Sequence, residues 1–333
     1  MKMTPRERVK AVFRGQLADR IAFTSYHGSP PAGMKLCQQM LKAGVCFVTK
    51  KTSYSQVNRE CKIRQVIYSE KENNFIKTII DTPYGKISKL FQEAESGKCP
   101  LDYLFKSPDD YKKIIAYIDD MRFKENYNDI KKILQYSSQN EIIRDQIGSE
   151  PMQMVINVMG IENYGIQWFD NRDEVIKIHD AFLRMVRRQY PLAANGPLDF
   201  MNCGGNCVPE VIGLDNFKAY FVPFYNEVSE YMHKYKKLVG THLDANTKLW
   251  KDDIARCALD YIEAFTPPPE GDLSVKAALE AWKDKFLWLN FPSSVHLSGK
   301  SRVKDVFDEI LSQAQDGRRL IIGFTETIPE QGH

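Results

Sequence analysis

The sequence predicts an α/β chain closed into a (β/α)8 TIM barrel, and three observations predict it. Eight short apolar runs of β-branched and aromatic character recur along the 333 residues, and stretches with helical spacing fill most of the gaps between them. The first run is followed by TSYHGSPPAG, which lacks the G-x-G-x-x-G loop that an open doubly wound sheet usually carries at that place. Buried strands alternating with helices, without a phosphate loop, fit a closed parallel barrel.

The elements follow in order. Thr4, Pro5 and Glu7 form the pattern of a capping box with proline at the first helical position, so a helix is expected over 4–13, with Gly15 ending it. The eight predicted strands are IAFTSY from Ile21, VCFVTK from Val45, EIIRDQI from Glu141, PLDFMN from Pro197, KLVGTH from Lys237, DYIEAF from Asp260, FLWLNF from Phe286 and RLIIGF from Arg319. Helical patterns occupy 151–158, 172–189, 215–235, 248–258, 274–283 and 303–314. The long gap between the second and third runs requires an insertion at about 60–136. Within it, 61–91 alternates polar and apolar residues around turn signals at Glu72-Asn73 and Thr82-Pro83-Tyr84-Gly85, the pattern of an antiparallel β meander, and 107–136 is expected to be helical. No fixed-period repeat or linker divides the chain, so one barrel domain over 1–333 is expected.

Bulk properties limit the function. The composition, 43% hydrophobic and 27% charged, supports a large core. With 46 basic against 43 acidic residues, no field argues for nucleic acid or an anionic membrane. No apolar window approaches the ~20 residues of a membrane span, and the charged opening MKMTPRERVKAVFRG does not read as a signal peptide, so a cytoplasmic protein is expected. Seven irregularly spaced cysteines fit reduced thiols. Cys203 and Cys207, in CGGNC, either donate thiolates or lie buried and inert.

Barrel enzymes build their sites from residues at the carboxyl ends of the strands. Here those positions hold Tyr26 and His27, Asn202 and Asn206, His242 and Asp244 in GTHLDAN, Glu263, Asn290 and Glu326. Imidazole and carboxylates converging from neighbouring strands suit Zn2+, with His242 as the first ligand and Asp244, Glu263 and Glu326 as candidates beside it. Each has a plainer alternative. A histidine at a strand end also serves as a hydrogen-bonded structural residue, and Glu326 as a solvated loop carboxylate. Glu263 stands out because it sits between apolar residues in DYIEAF, where a carboxylate needs a metal, an arginine or a hydrogen-bond network. Asn206, Asn246 and Asn290 are candidates to bind substrate, and Trp168 to line an aromatic pocket, although an aromatic beside a barrel strand also serves as core.

Several stretches together resemble the uroporphyrinogen decarboxylase superfamily: TPRERVKAVFRGQLADRIAF at the start, then THLDANTKLWKDDIARCALDYIEAFTPPPEGDL, WLNFP and LIIGFTETIPE. The last three resemble its subgroup of cobamide-dependent methyltransferases and O-demethylase components. The likeness covers the two ends and the last third, and hardly touches 61–136. It implies a zinc site in which a His-x-Cys after the fifth strand and a Cys after the last hold the metal. Here His242 keeps the first position, Asp244 takes the second and Glu326 falls near the last, so carboxylates replace both thiolates. The arginine-bearing motif of the decarboxylases, after the first strand, is SYHGSPPAG here. The resemblance therefore implies demethylation of a methyl ether, a methoxylated aromatic, with the methyl group passed to Co(I) of a corrinoid on a partner protein, since no D-x-H-x-x-G cobalamin motif is present. His27 or Tyr26 would donate a proton or orient the ring. Three other readings stay open: methyl transfer to a thiol or folate, a metal-free lyase, and a non-catalytic ligand-binding barrel.

Overall fold

A computed structural model describes residues 2–26, 35–94, 97–296 and 298–325. Its strands, in chain order, are β1 Ala22–Tyr26, β2 Cys46–Lys50, β3 Tyr54–Asn58, β4 Lys62–Glu70, β5 Asn73–Thr82, β6 Gly85–Ala94, β7 Gly97–Asp102, β8 Met121–Glu125, β9 Glu141–Gln146, β10 Phe200–Asn202, β11 Leu238–His242, β12 Tyr261–Phe265, β13 Phe286–Asn290 and β14 Leu320–Phe324. Contacts divide the chain into two compact units, one of Met1–Ser53, Asn126–Ile147 and Ala193–His333, the other of Tyr54–Glu125 and Gly148–Leu192.

The first unit contains the predicted barrel. Eight parallel strands close in the order β1-β14-β13-β12-β11-β10-β9-β2, each lying in one of the eight apolar runs. The helix Pro5–Phe13 forms with its capping box intact, Thr4 accepting from the Glu7 amide and Glu7 from the Thr4 amide. Its Phe13 ring packs among barrel aromatics, with centroids 4.6 Å from Phe200, 5.1 Å from Phe286 and 6.1 Å from Trp288. Val9 and Val12 join the same core with Ala22, Tyr261 and Ile321. Helix and strand interiors thus bury one shared apolar surface.

Glycine decides one contact in this core. A Cβ on Gly240 would stand 2.1 Å from the Tyr261 ring, so only glycine on β11 lets that ring lie across the strand. The ring's hydroxyl then lies 2.7 Å from the Met201 carbonyl and 2.8 Å from the Asn202 side-chain oxygen, its one proton shared between the two acceptors.

The second unit holds the meander, a four-stranded antiparallel sheet β4-β5-β6-β7. Its first hairpin turns at Lys71-Glu72, both at positive φ, one residue before the predicted place. Helices Tyr111–Asp120, Pro151–Met159, Ile161–Asp170 and Arg172–Arg187 belong to this unit. Two features depart from the sequence reading. The 107–136 stretch is interrupted by β8, which pairs antiparallel with β3 through residues distant in sequence. The predicted 215–235 helix starts earlier, at Pro209, kinks at Gly213 and passes through a π turn at Phe217–Phe221 before Val222–His233. Pro223 has no amide to donate back into that turn, which accounts for the widened winding ahead of it. No described helix is long and apolar enough to cross a membrane.

Candidate active site

The carboxyl ends of the barrel strands gather an ionisable cluster around Glu263 of β12. Glu263 is wholly buried, and its Oε2 collects three partners: Asn202 Nδ2 from β10 at 2.7 Å, Arg144 Nη1 from β9 at 3.1 Å and His242 Nδ1 from β11 at 2.7 Å. Oε1 is buried and has no hydrogen-bond partner among the described residues. Backbone geometry helps to place it. A register shift falls between Glu263 and Phe265, and Ala264 between them takes φ 58°, a bulge of the kind that re-aims side chains beside functional sites.

Burial pushes the Glu263 carboxyl well above the usual carboxylate range and the Arg144 guanidinium down to about 10, since low dielectric disfavours both charges. Arg144 also donates to the Tyr26 hydroxyl at 3.2 Å and lies 5.5 Å from the Tyr26 ring centroid. The same ring carries the Lys50 ammonium at 4.1 Å, and burial together with the Arg144 charge pushes Lys50 down to about 8. Lys50 and Arg144 are register partners on β2 and β9.

His242 stands between two carboxyl groups. Its Nδ1 faces Glu263, and its Nε2 lies 3.3 Å from Asp244 Oδ2. Burial opposes ionisation of Asp244, but the His242 ring and a backbone hydrogen bond outweigh it and lower its pKa. A neutral imidazole has one N–H for its two nitrogens. Both nitrogens facing carboxyl oxygens therefore call for an imidazolium, a protonated Glu263, or a cation at Nε2.

The donor set meets the needs of a divalent ion in part. Among the described residues, no group of three or more His, Cys, Asp or Glu side chains is arranged to hold a metal. A pair is present: two ligands on one tetrahedral Zn2+, each with a bond of about 2.0–2.1 Å, stand roughly 3.3 Å apart, the separation of His242 Nε2 and Asp244 Oδ2. Behind the ring, the carboxylate on Nδ1 is the arrangement that fixes the tautomer of metal-binding histidines. The pair fits two of the places such an ion needs.

The remaining expected residues fall as follows. Tyr26 ends β1 within the cluster. Asn290 is buried at the end of β13, donating to Thr266 and accepting from the Thr325 amide. Asn206 is an exposed loop residue, and Asn246 donates to Glu210 at the surface. Trp168 belongs to the helix Ile161–Asp170 of the second unit, under the Arg172 guanidinium at 4.4 Å. Cys203 and Cys207 are buried. His27 and Glu326 lie outside the described residues. Sequence reasoning passed over Arg144 and Lys50, although Arg144 sits within the apolar run EIIRDQI, as Glu263 sits within DYIEAF, and Lys50 closes VCFVTK.

Fold and site together define a closed (β/α)8 barrel with an ionisable cluster at the strands' carboxyl ends, where barrel enzymes carry their chemistry. No family model matches the sequence, and no curated protein is similar to it. Among solved structures, a methyltransferase from Methanosarcina mazei is similar over 98% of this chain and 94% of that one, with a TM-score of 0.58 and 10% identity, a likeness of fold.

Proposed function

We propose that this chain is a zinc-dependent methyltransferase that demethylates a methyl ether, a methoxylated aromatic, and passes the methyl group to Co(I) of a corrinoid protein docking at the barrel mouth. The carrying observation is the line Glu263–His242–Asp244, in which one carboxyl holds the ring and the other stands at ligand spacing beside it. The shared fold with a methyltransferase over nearly the whole of both chains supports the reading.

Each residue then has a task. Asn202 and Arg144 hold Glu263 from neighbouring strands, and Glu263 accepts from His242 Nδ1–H, which turns the Nε2 lone pair toward Asp244. That makes Glu263 the orienting residue, with His242, Asp244 and Glu326 as the proposed ligands. When bound there, Zn2+ supplies Lewis acidity at the ether oxygen, where negative charge develops as the methyl carbon departs. Tyr26, whose hydroxyl accepts from Arg144, keeps its own proton to give to the departing aryl oxide, with His27 the other candidate donor. Asn206, Asn246 and Asn290 remain the proposed substrate contacts.

Purified protein is expected to hold about one zinc per chain, lost in His242→Ala and bound about 10–100-fold more weakly in Glu263→Gln. Reduced corrinoid protein and a methoxyarene should give phenol only when this chain is present. Absence of both metal and phenol across a broad panel of methyl ethers would overturn the reading. The buried Oε1 of Glu263, without a partner among the described residues, favours a second reading, a metal-free lyase on a carboxylated substrate with Glu263 and His242 moving the proton. Full activity after chelation would select it.

A further inference from the structure

The four-stranded sheet of the second unit carries a pattern that folding alone does not call for. Register aligns its side chains in rungs. Ile63, Ile80 and Ile87 form one, and Ile67, Ile76 and Phe91 another. On this face Ile76, Ile80 and Ile87 are buried, and the helix Tyr111–Asp120 packs against β5 and β6. Between the two apolar rungs runs a polar one, Gln65, Thr78 and Lys89. Of the three, Thr78 is buried, Lys89 half-buried and Gln65 exposed, so the rung runs from solvent into the covered part of the face, where a polar group loses hydration and regains nothing unless something bonds to it.

The polar rung opens on a cavity of about 560 Å³, within the range of small-molecule sites. Met154, Val158 and Phe182, from the helices Pro151–Met159 and Arg172–Arg187, form part of its far wall, and among the described residues no carboxylate lines it. Lys98 also lines the cavity, and the two ammonium groups repel one another while burial disfavours the charge on Lys89. The Lys89 ammonium rests 5.1 Å from the Phe91 ring centroid, and among the described residues neither lysine forms an ion pair. Two cations beside an apolar chamber, with Glu93 in register across from Lys98 but ion-paired with neither lysine, match a ligand with an apolar body and one anionic end.

We propose that this cavity binds a small amphipathic carboxylate, its apolar body between the sheet and the helices and its carboxylate on the Gln65–Thr78–Lys89 rung, with Lys98 as the second cation. The site stands apart from the methyl-transfer reading and can fail or hold without it.

Titration calorimetry of the full chain with decanoate and with decanol tests it, together with NMR of methyl-labelled methionine. Decanoate should bind with one molecule per chain and shift the Met154 methyl, and decanol should bind at least about tenfold more weakly, the difference a charge-assisted contact makes. Lys89→Met should lose about tenfold in decanoate affinity while Lys89→Arg keeps most of it. Met154→Trp, which fills the chamber and leaves both lysines, should abolish binding with an unchanged circular dichroism spectrum. Equal affinity for acid and alcohol, an unaffected Lys89→Met, a silent Met154 methyl, or no decanoate binding at all would each overturn the proposal.

Discussion

Glu263 and Arg144 meet at 3.1 Å with relative side-chain exposures of 0% and 2%, so a charge on either depends on its partners there. Taking both out of water is expensive, and their attraction offsets that cost only while the pair and its hydrogen bonds are complete. Arg144→Met should therefore lower stability by about 3–5 kcal/mol in urea unfolding, because it leaves a buried carboxyl with less compensation. A loss below about 1 kcal/mol would mean that Asn202 and His242 suffice to hold Glu263. At this scale the sequence was readable in part. A carboxylate inside DYIEAF announced itself, and GTHLDAN marked a strand end with titratable side chains. Arg144 was written just as plainly in EIIRDQI. Whether it points into the barrel depends on its register with β2 and β10, which a single strand does not carry. Asn246, past β11, donates its amide to Glu210, a partner 36 residues away that its own strand end does not reveal.

Strands and helices place those side chains through a few close contacts. On β11, the missing side chain of Gly240 admits the Tyr261 ring; the ring's hydroxyl fixes the Asn202 amide; and that amide donates to Glu263. Gly240→Ala puts a methyl 2.1 Å from ring atoms in a packed core, with no flexible chain end to yield. A cost of about 1–3 kcal/mol is expected, as for other overpacked cores. Because Asn202 is displaced with the ring, the variant should also lose activity beyond what its stability explains. Melting curves and kinetics on the folded fraction check both, and an unchanged rate would show that Asn202 does not depend on Tyr261. All eight barrel strands were legible because buried parallel strands need near-continuous apolar runs, which few other elements produce. The β3–β8 pair was not, since MRFKE and YSQVN are short, half-exposed and far apart in sequence. The helix Ile161–Asp170 was hidden by its Asn163, Gly165 and mixed polar faces, where packing outweighs propensity.

For the molecule as a whole, acid stability depends on how the N-terminal helix is tied to the chain that enters β1. Arg8 on that helix is 2% exposed and bonds both oxygens of Asp19, Nε to Oδ1 at 2.6 Å and Nη2 to Oδ2 at 3.1 Å. The hydrogen bond from Arg8, helped by the Met3 amide, holds the Asp19 carboxyl at about 2, below its ordinary 3.8. A carboxylate whose folded pKa is depressed binds its proton more weakly in the folded state. The unfolded chain thus takes up the proton first as pH falls, and folding loses stability through that window. The stabilisation from Asp19 is fully present above about 3.8 and disappears as pH falls through about 2. Protonation leaves Arg8 buried without its counter-charge, and the helix that carries Phe13 into the barrel core loses its tie. Urea unfolding of the natural chain and of Asp19→Asn from pH 6 down to pH 2 should give a constant difference at the upper end that narrows below pH 4. A difference that stayed constant to pH 2 would show that Asp19 carries the same proton affinity folded and unfolded, and that acid sensitivity arises elsewhere in the chain.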